Sequence, residues 1–111
     1  MGTDIVTIHA GDTYYANLSP TRGTEQQGFR PVTVISVAAM GPRAIVVPLT
    51  TKLRLWPTRI RVNLHGIEAD AMCEQVRTID LVRLSEDLYA RLDPAILRDI
   101  QQTVARLIGV Y

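Results

Sequence analysis

Apolar and polar side chains alternate with a period of two over RIRVNL. Arg59, Arg61 and Asn63 fall on one side, and Ile60, Val62 and Leu64 on the other. That pattern predicts a half-buried strand. PVTVISV and AIVVPLTT, the latter from Ala44 to Thr51, are rich in β-branched residues and predict two more strands. AGDTYYANL, Ala10 to Leu18, sets aromatic and small residues after a Gly-Asp start and reads as a strand as well. AMCEQVRTI, Ala71 to Ile79, reads as one strand, or as two with a bend.

The period changes in the last third of the chain. Ser85 is placed to cap a short helix through Tyr89 or Arg91. Asp93-Pro94 is a stronger start, an N-cap residue followed by proline at the first helical position. Ile96, Leu97, Ile100, Val104, Leu107 and Ile108 then recur at helical spacing, and Gly109 is placed to end the helix. The expected class is mainly β, in the α+β sense: about five strands, then a C-terminal helix covering one side. Short strands in a small chain favour a curled sheet or partly open barrel over a flat sheet.

With 111 residues, the expected organisation is a single domain over 1–111. A 47% apolar content is generous for this length and suggests surface buried against a second copy. The lone cysteine, Cys73, rules out an internal disulfide. No apolar run approaches the roughly 20 residues of a membrane span. MGTDIVTIHAGD carries acidic residues and lacks the basic start of a signal peptide. A cytoplasmic protein without a membrane partner is the expectation.

The net charge is only +1, but it is unevenly spread. Between Arg22 and Arg61 there are seven basic residues and one acidic residue, Glu25. From Val62 onward there are five basic and eight acidic residues. A basic block inside a near-neutral protein points to a local anionic partner or to a solvated strand surface.

Several chemistries are missing from the sequence. His9 and His65 are far apart, and no zinc-type spacing exists. No Walker-type glycine loop and no nucleophile-elbow serine are present. Neither a metal nor a cofactor is expected, and any nucleophile would come from substrate or water. What stands out is PTRGTEQQGFRPV, a loop too broken for helix that carries Glu25 and Arg30. Arg30 precedes Pro31 and is biased toward extended backbone. Its guanidinium suits phosphate oxygens, and Glu25 can accept a proton. Together they could act on a phosphodiester through a ribose 2′-OH, or pair with each other to staple the loop. PLTTKLRLWPT offers the hydroxyls of Thr50 and Thr51, then Lys52, Arg54 and Trp56. Such a segment can hold a nucleic-acid backbone and stack a base, or Trp56 can be a turn or core aromatic.

Three stretches, PTRGTEQQGFRPV, IVVPLTT and CEQVRTID, resemble the MazF/PemK (Kid) toxins of bacterial type II toxin–antitoxin systems. The shared frame P-T-x-G-x-E-Q-x-G-x-R-P spans Pro20 to Pro31. The resemblance runs from GDTYYANLSP through LIGVY. It implies an SH3-like, partly open β-barrel of about five to seven short strands with a C-terminal helix. It implies a homodimeric, metal-independent endoribonuclease that cuts single-stranded RNA at short sequences. The expected products are a 2′,3′-cyclic phosphate and a 5′-OH. A cognate antitoxin would neutralise it with an acidic C-terminal segment.

By the same resemblance Arg30, Glu25 and Thr50 are catalytic, with Thr51, Glu74 and Gln75 possible support. Arg22, Thr24, Gln26, Lys52, Arg54, Trp56 and Arg77 are expected to contact RNA. One branch of the family uses an Arg-x-Asp pair where this chain has Met72 and Glu74, which favours Glu25 as the base. The link VAAMGPRA is shorter than in relatives and lacks their Asn or Asp. A non-cleaving homologue that binds RNA or antitoxin, or a gyrase-poison-like binding toxin on the same barrel, are the alternatives.

Overall fold

The computed structural model describes residues 8–25, 28–37 and 40–111. Its strands are β1 (Asp12–Asn17), β2 (Phe29–Val34), β3 (Arg43–Thr50), β4 (Arg59–Leu64), β5 (Ile67–Met72), β6 (Arg77–Asp80) and β7 (Ala90–Arg91). One α-helix, α1 (Pro94–Leu107), follows among the described residues. All pairings are antiparallel, in the order β4-β5-β3-β2-β1-β7, and β6 adds to β3.

β3 is the hub, and its two halves serve different partners along one edge. Arg43 to Val46 pair with β6, and Leu49 and Thr50 pair with β5. Pro48 has no amide N–H to give a ladder. It falls between the last β6 pair, Val46 with Arg77, and the first β5 pair, Leu49 with Ala71. The proline thus sits where the edge changes partner. This split curls the sheet into the expected half-open barrel.

Apolar residues fill both sides of β3, which explains the unbroken run in AIVVPLT. Val47 and Leu49 join Val62, Leu64, Ala71, Cys73 and Ile100 in one buried cluster. Ala44 and Val46 join Ala16, Leu18, Val32, Val34 and Ile79 in another. α1 closes the first cluster through Ile100, with Ile96, Leu97 and Val104 half-buried against it. Leu107 and Ile108 continue the periodicity but remain exposed. The Asp93 carboxylate accepts the Ala95 amide at the N-cap, Pro94 opens the helix, and Gly109 follows it at φ 91°.

One open expectation is settled in its second form and another is revised. AMCEQVRTI is two strands separated by a 3-10 turn at Cys73–Gln75, and the first begins earlier, at Ile67. His65-Gly66 makes a two-residue hairpin between β4 and β5, with φ 53° and 86°. Positive φ at both positions matches the right-handed twist of the flanking strands. The helix expected from Ser85 does not form. Asp80 instead caps a 3-10 turn at Leu81–Arg83. The chain beyond it is drawn out along β1, where Ser85 and Tyr89 donate their amides to the carbonyls of Tyr15 and Thr13. A strand edge with open carbonyls outcompetes one turn of isolated helix, whose nucleation is unfavourable.

Candidate active site

Arg30 enters β2 and lies opposite Ala16 of β1. On its other side β2 pairs with β3 as Val32 with Pro48. Arg30 lies two residues before that last pair, and Thr50 two residues after it. The Arg30 Nη1 donates to the Leu49 carbonyl at 3.4 Å, holding the guanidinium to the end of β3. The Thr50 hydroxyl accepts the Lys52 amide at 3.1 Å, so its own proton is left to donate. Arg30, Thr50, Thr51 and Lys52 line one cleft of about 430 Å³. Residues far apart in sequence therefore meet at a place able to hold an anion.

The rest of that cleft was not anticipated. Tyr15, Phe29 and Tyr89 line it, with Leu49, Leu64 and Ile67. The Tyr15 ring stacks on Phe29 with centroids 5.2 Å apart, and meets Tyr89 edge-on at 5.0 Å. His65 meets the other side of this row, edge-on to Tyr89 at 4.9 Å, and its Nε2–H donates to the Tyr89 carbonyl at 2.6 Å. The four rings come from β1, β2, the β4–β5 turn and the segment before β7. No motif in the sequence links them.

The loop before β2 is tied at its neck. Leu18 donates its amide to the Gly28 carbonyl, and Gly28 donates to the Ser19 hydroxyl. At its tip the Glu25 carboxylate accepts the Arg22 amide at 2.8 Å, and the Glu25 amide donates to the Arg22 carbonyl. Arg22, Thr24 and Glu25 are exposed. Glu25 does not line the cleft of Arg30. Gln26 lies outside the described residues, as do Ala38 and Ala39 of the VAAMGPRA link and the first seven residues.

A second basic surface is built by the segment between β3 and β4. Two carboxylates brace it from beneath. Asp70 is buried, accepting the Arg54 amide and the Arg61 Nε, both at 2.7 Å. Glu74 accepts the Thr58 hydroxyl at 2.8 Å and grips Arg59 through both oxygens, the closest contact being 2.6 Å. Arg59 in turn lies over the Trp56 ring, 4.3 Å from its centroid, with Arg54 at 6.0 Å. Trp56 is half exposed and shares a depression of about 480 Å³ with Arg54, Arg59, Arg61 and Asp70. So Trp56 belongs to the surface, not the core. Burial pushes the Asp70 carboxyl up, but the Arg54 amide and the Arg61 guanidinium outweigh it, and the group titrates below its ordinary range. Glu74 is likewise raised by burial, then held below its ordinary range by Arg59 and Thr58.

The remaining candidates have structural surroundings. Arg77 is half-buried and donates to the Leu18 carbonyl at 3.5 Å, across the foot of the loop. Gln75 is half-buried in the 3-10 turn after β5. Cys73 is fully buried, and burial, with Glu74 beside it, pushes its thiol up to about 12. Such a thiol is no nucleophile at neutral pH. Among the described residues no group of three or more His, Cys, Asp or Glu side chains could hold a metal ion. No helix among them is long and apolar enough to cross a membrane.

Residues 9–108 match the family model described as PemK-like, MazF-like toxin of type II toxin–antitoxin system. The chain is 35% identical over 106 residues to endoribonuclease EndoA of Bacillus subtilis, covering 87% of this chain and 90% of that relative. Its fold is similar to crystalline MazF from Deinococcus radiodurans, with a TM-score of 0.85 at 24% identity over 96% of this chain and 100% of that one. It is also similar to a chain of the MazE–MazF complex from the same organism, with a TM-score of 0.77 at 20% identity over 97% and 100%.

Proposed function

Because this chain belongs to the PemK-like, MazF-like toxins of type II toxin–antitoxin systems, we propose that it is an endoribonuclease that cuts single-stranded RNA without a metal and is silenced by an antitoxin. The observation that carries this reading is the convergence of Arg30, Thr50, Thr51 and Lys52 on one cleft. The endoribonuclease activity for which EndoA is named supports it, as does the antitoxin complex of the Deinococcus protein.

In this reading the scissile phosphate lies against Arg30 and Thr50. Glu25 takes the proton of the ribose 2′-OH, and the freed oxygen attacks phosphorus. The guanidinium fork and the Thr50 hydroxyl hold the charge that gathers on the non-bridging oxygens. The bond to the 5′-oxygen then breaks, and that oxygen takes a proton from water. Arginine is too weak an acid to supply it. The products are a 2′,3′-cyclic phosphate and a 5′-OH. Glu25 stands on the loop outside the cleft, so its role as base requires the loop to bring it to the substrate that Arg30 and Thr50 hold from the sheet. The toxin works in the cytoplasm, where mRNA is found, and acts as a homodimer. Its exposed apolar side chains, Val37, Ile108 and Val110 among them, support pairing. Light scattering should then give about twice 12.3 kDa, and a monomer would count against the dimer.

The test is incubation with a long unstructured RNA in excess EDTA. Discrete fragments with cyclic phosphate ends are expected, and a DNA of the same sequence should stay intact. Loss of cutting on chelation, or equal cutting of DNA, would overturn the mechanism. Binding without cutting would point to a non-cleaving homologue.

A further inference from the structure

The aromatic row beside the anion site has no role in the reaction just described. Phe29 is 67% exposed although one face of its ring is stacked on Tyr15. The surface left open is therefore the other face and the rim. An apolar ring held flat at an interior-like distance and still offered to water is a poor way to stabilise a fold, since burial is what rewards an apolar side chain. It is a good platform, because its partner fixes its plane before any ligand arrives. The row is held from behind: Tyr89 meets Tyr15 edge-on, and the Tyr89 carbonyl is fixed by His65. Phe29 also directly precedes Arg30 in the same strand, and both line the same cleft.

The geometry points to Phe29, backed by Tyr15, as the platform on which an unpaired nucleobase next to the scissile phosphate stacks. This rests on the endoribonuclease reading and adds a base subsite to it. The chemistry fits a single strand. Every base has a π-face, and stacking on an aromatic side chain needs no particular hydrogen-bond pattern. A duplex keeps its bases stacked on each other and cannot offer one to Phe29. The subsite thus selects for unpaired RNA and fixes the register of the chain relative to Arg30. Trp56 sits in a separate depression, so the two aromatics would take different bases.

The experiment is a cycle between ring and base that does not depend on cleavage. Fluorescein-labelled 2′-O-methyl RNA heptamers of degenerate sequence are uncleavable, and a matching heptamer lacks its bases. Affinities of both are measured by anisotropy for wild type, Phe29→Ala and Phe29→Tyr. Phe29→Ala should weaken the base-bearing heptamer by about 10-fold and leave the abasic one unchanged. Phe29→Tyr, which keeps the ring, should bind like wild type. Thermal unfolding of the three proteins checks that the exposed substitution leaves the fold intact. An equal loss on both heptamers, or no loss on either, overturns the subsite. A loss seen only with an acidic antitoxin peptide also overturns it and assigns the ring to a protein partner. If wild type shows the coupling but cuts no RNA, the nuclease reading fails and the base platform stands. If it cuts RNA and shows no coupling, only the platform fails.

Discussion

An arginine that precedes a proline starts with its backbone confined to extended conformations. In Arg30 that confinement is joined by pairing with Ala16 of β1 on one side and by the Leu49 carbonyl of β3. A side chain fixed this way loses little entropy on meeting a phosphate, which is the condition for catalysis by a preorganised charge. Arg30→Ala should therefore lower the rate of RNA cleavage by on the order of 10²-fold or more with the fold retained. Arg30→Lys should recover only part of it, since a point charge cannot reproduce the two-pronged donor. Cleavage at the wild-type rate by Arg30→Ala would remove Arg30 from the site. The same single-turnover assay separates the two carboxylates. Glu74 already spends both oxygens on Arg59 and one on Thr58. Glu25→Gln should abolish most activity, whereas Glu74→Gln should mainly loosen the surface around Trp56.

The segment from Thr51 to Thr58 is not a regular element, yet it has a fixed shape because β5 and the turn after it place Asp70 and Glu74 beneath it. Both carboxyls titrate below their ordinary range in the folded protein. The unfolded chain therefore binds protons more readily than the folded one. Their stabilisation is complete above the unfolded values, about 4. It is lost as pH falls through the lower folded values. The unfolding midpoint should drop on acidification below about pH 4. Asp70→Asn with Glu74→Gln should start less stable at neutral pH and drop less. Parallel curves for the two proteins would show that the braces carry no linked protons. These same carboxylates explain what the sequence concealed. Alternation made β4 legible, and a double-sided apolar run made β3 legible. β5 opens with Ile-Glu-Ala-Asp, whose charges look like a loop until Arg61 is found across the hairpin from Asp70. The segment after Ser85 looked helical because its competitor, the open edge of β1, is seventy residues away in the chain. Arg30 stood out because its motif is contiguous from Pro20 to Pro31, and Thr50, Thr51 and Lys52 because they follow one another, but their meeting in one cleft is visible only in the fold. The aromatic row was not legible, because each ring comes from a different element and only folding brings them together.

At the scale of the molecule, the basic block read from composition divides in two. Arg59 and Arg61 are neutralised by Glu74, Glu68 and Asp70 across the β4–β5 hairpin. Among the described residues the side chains of Arg22, Lys52 and Arg54 form no ion pair with a carboxylate. Lys52 lines the cleft of Arg30, and Arg54 lines the depression of Trp56. A strip of uncompensated charge thus joins the two candidate subsites, as an RNA backbone passing between them would require. An acidic, flexible peptide meets the same requirement, and such a segment can cover a wide surface once it orders. We therefore expect the antitoxin's acidic segment and RNA to exclude one another on this strip. Attraction to it should be strongest at low salt, because the Debye length is about 10 Å at 0.1 M. The measurement is a titration of labelled single-stranded RNA against the antitoxin's C-terminal peptide at several salt concentrations. It is repeated with Lys52→Glu/Arg54→Glu. The charge reversals should weaken both ligands together and flatten the salt dependence of each. If RNA binding falls while peptide affinity and its salt dependence hold, the two ligands do not share the strip, and the antitoxin must silence the toxin from another face.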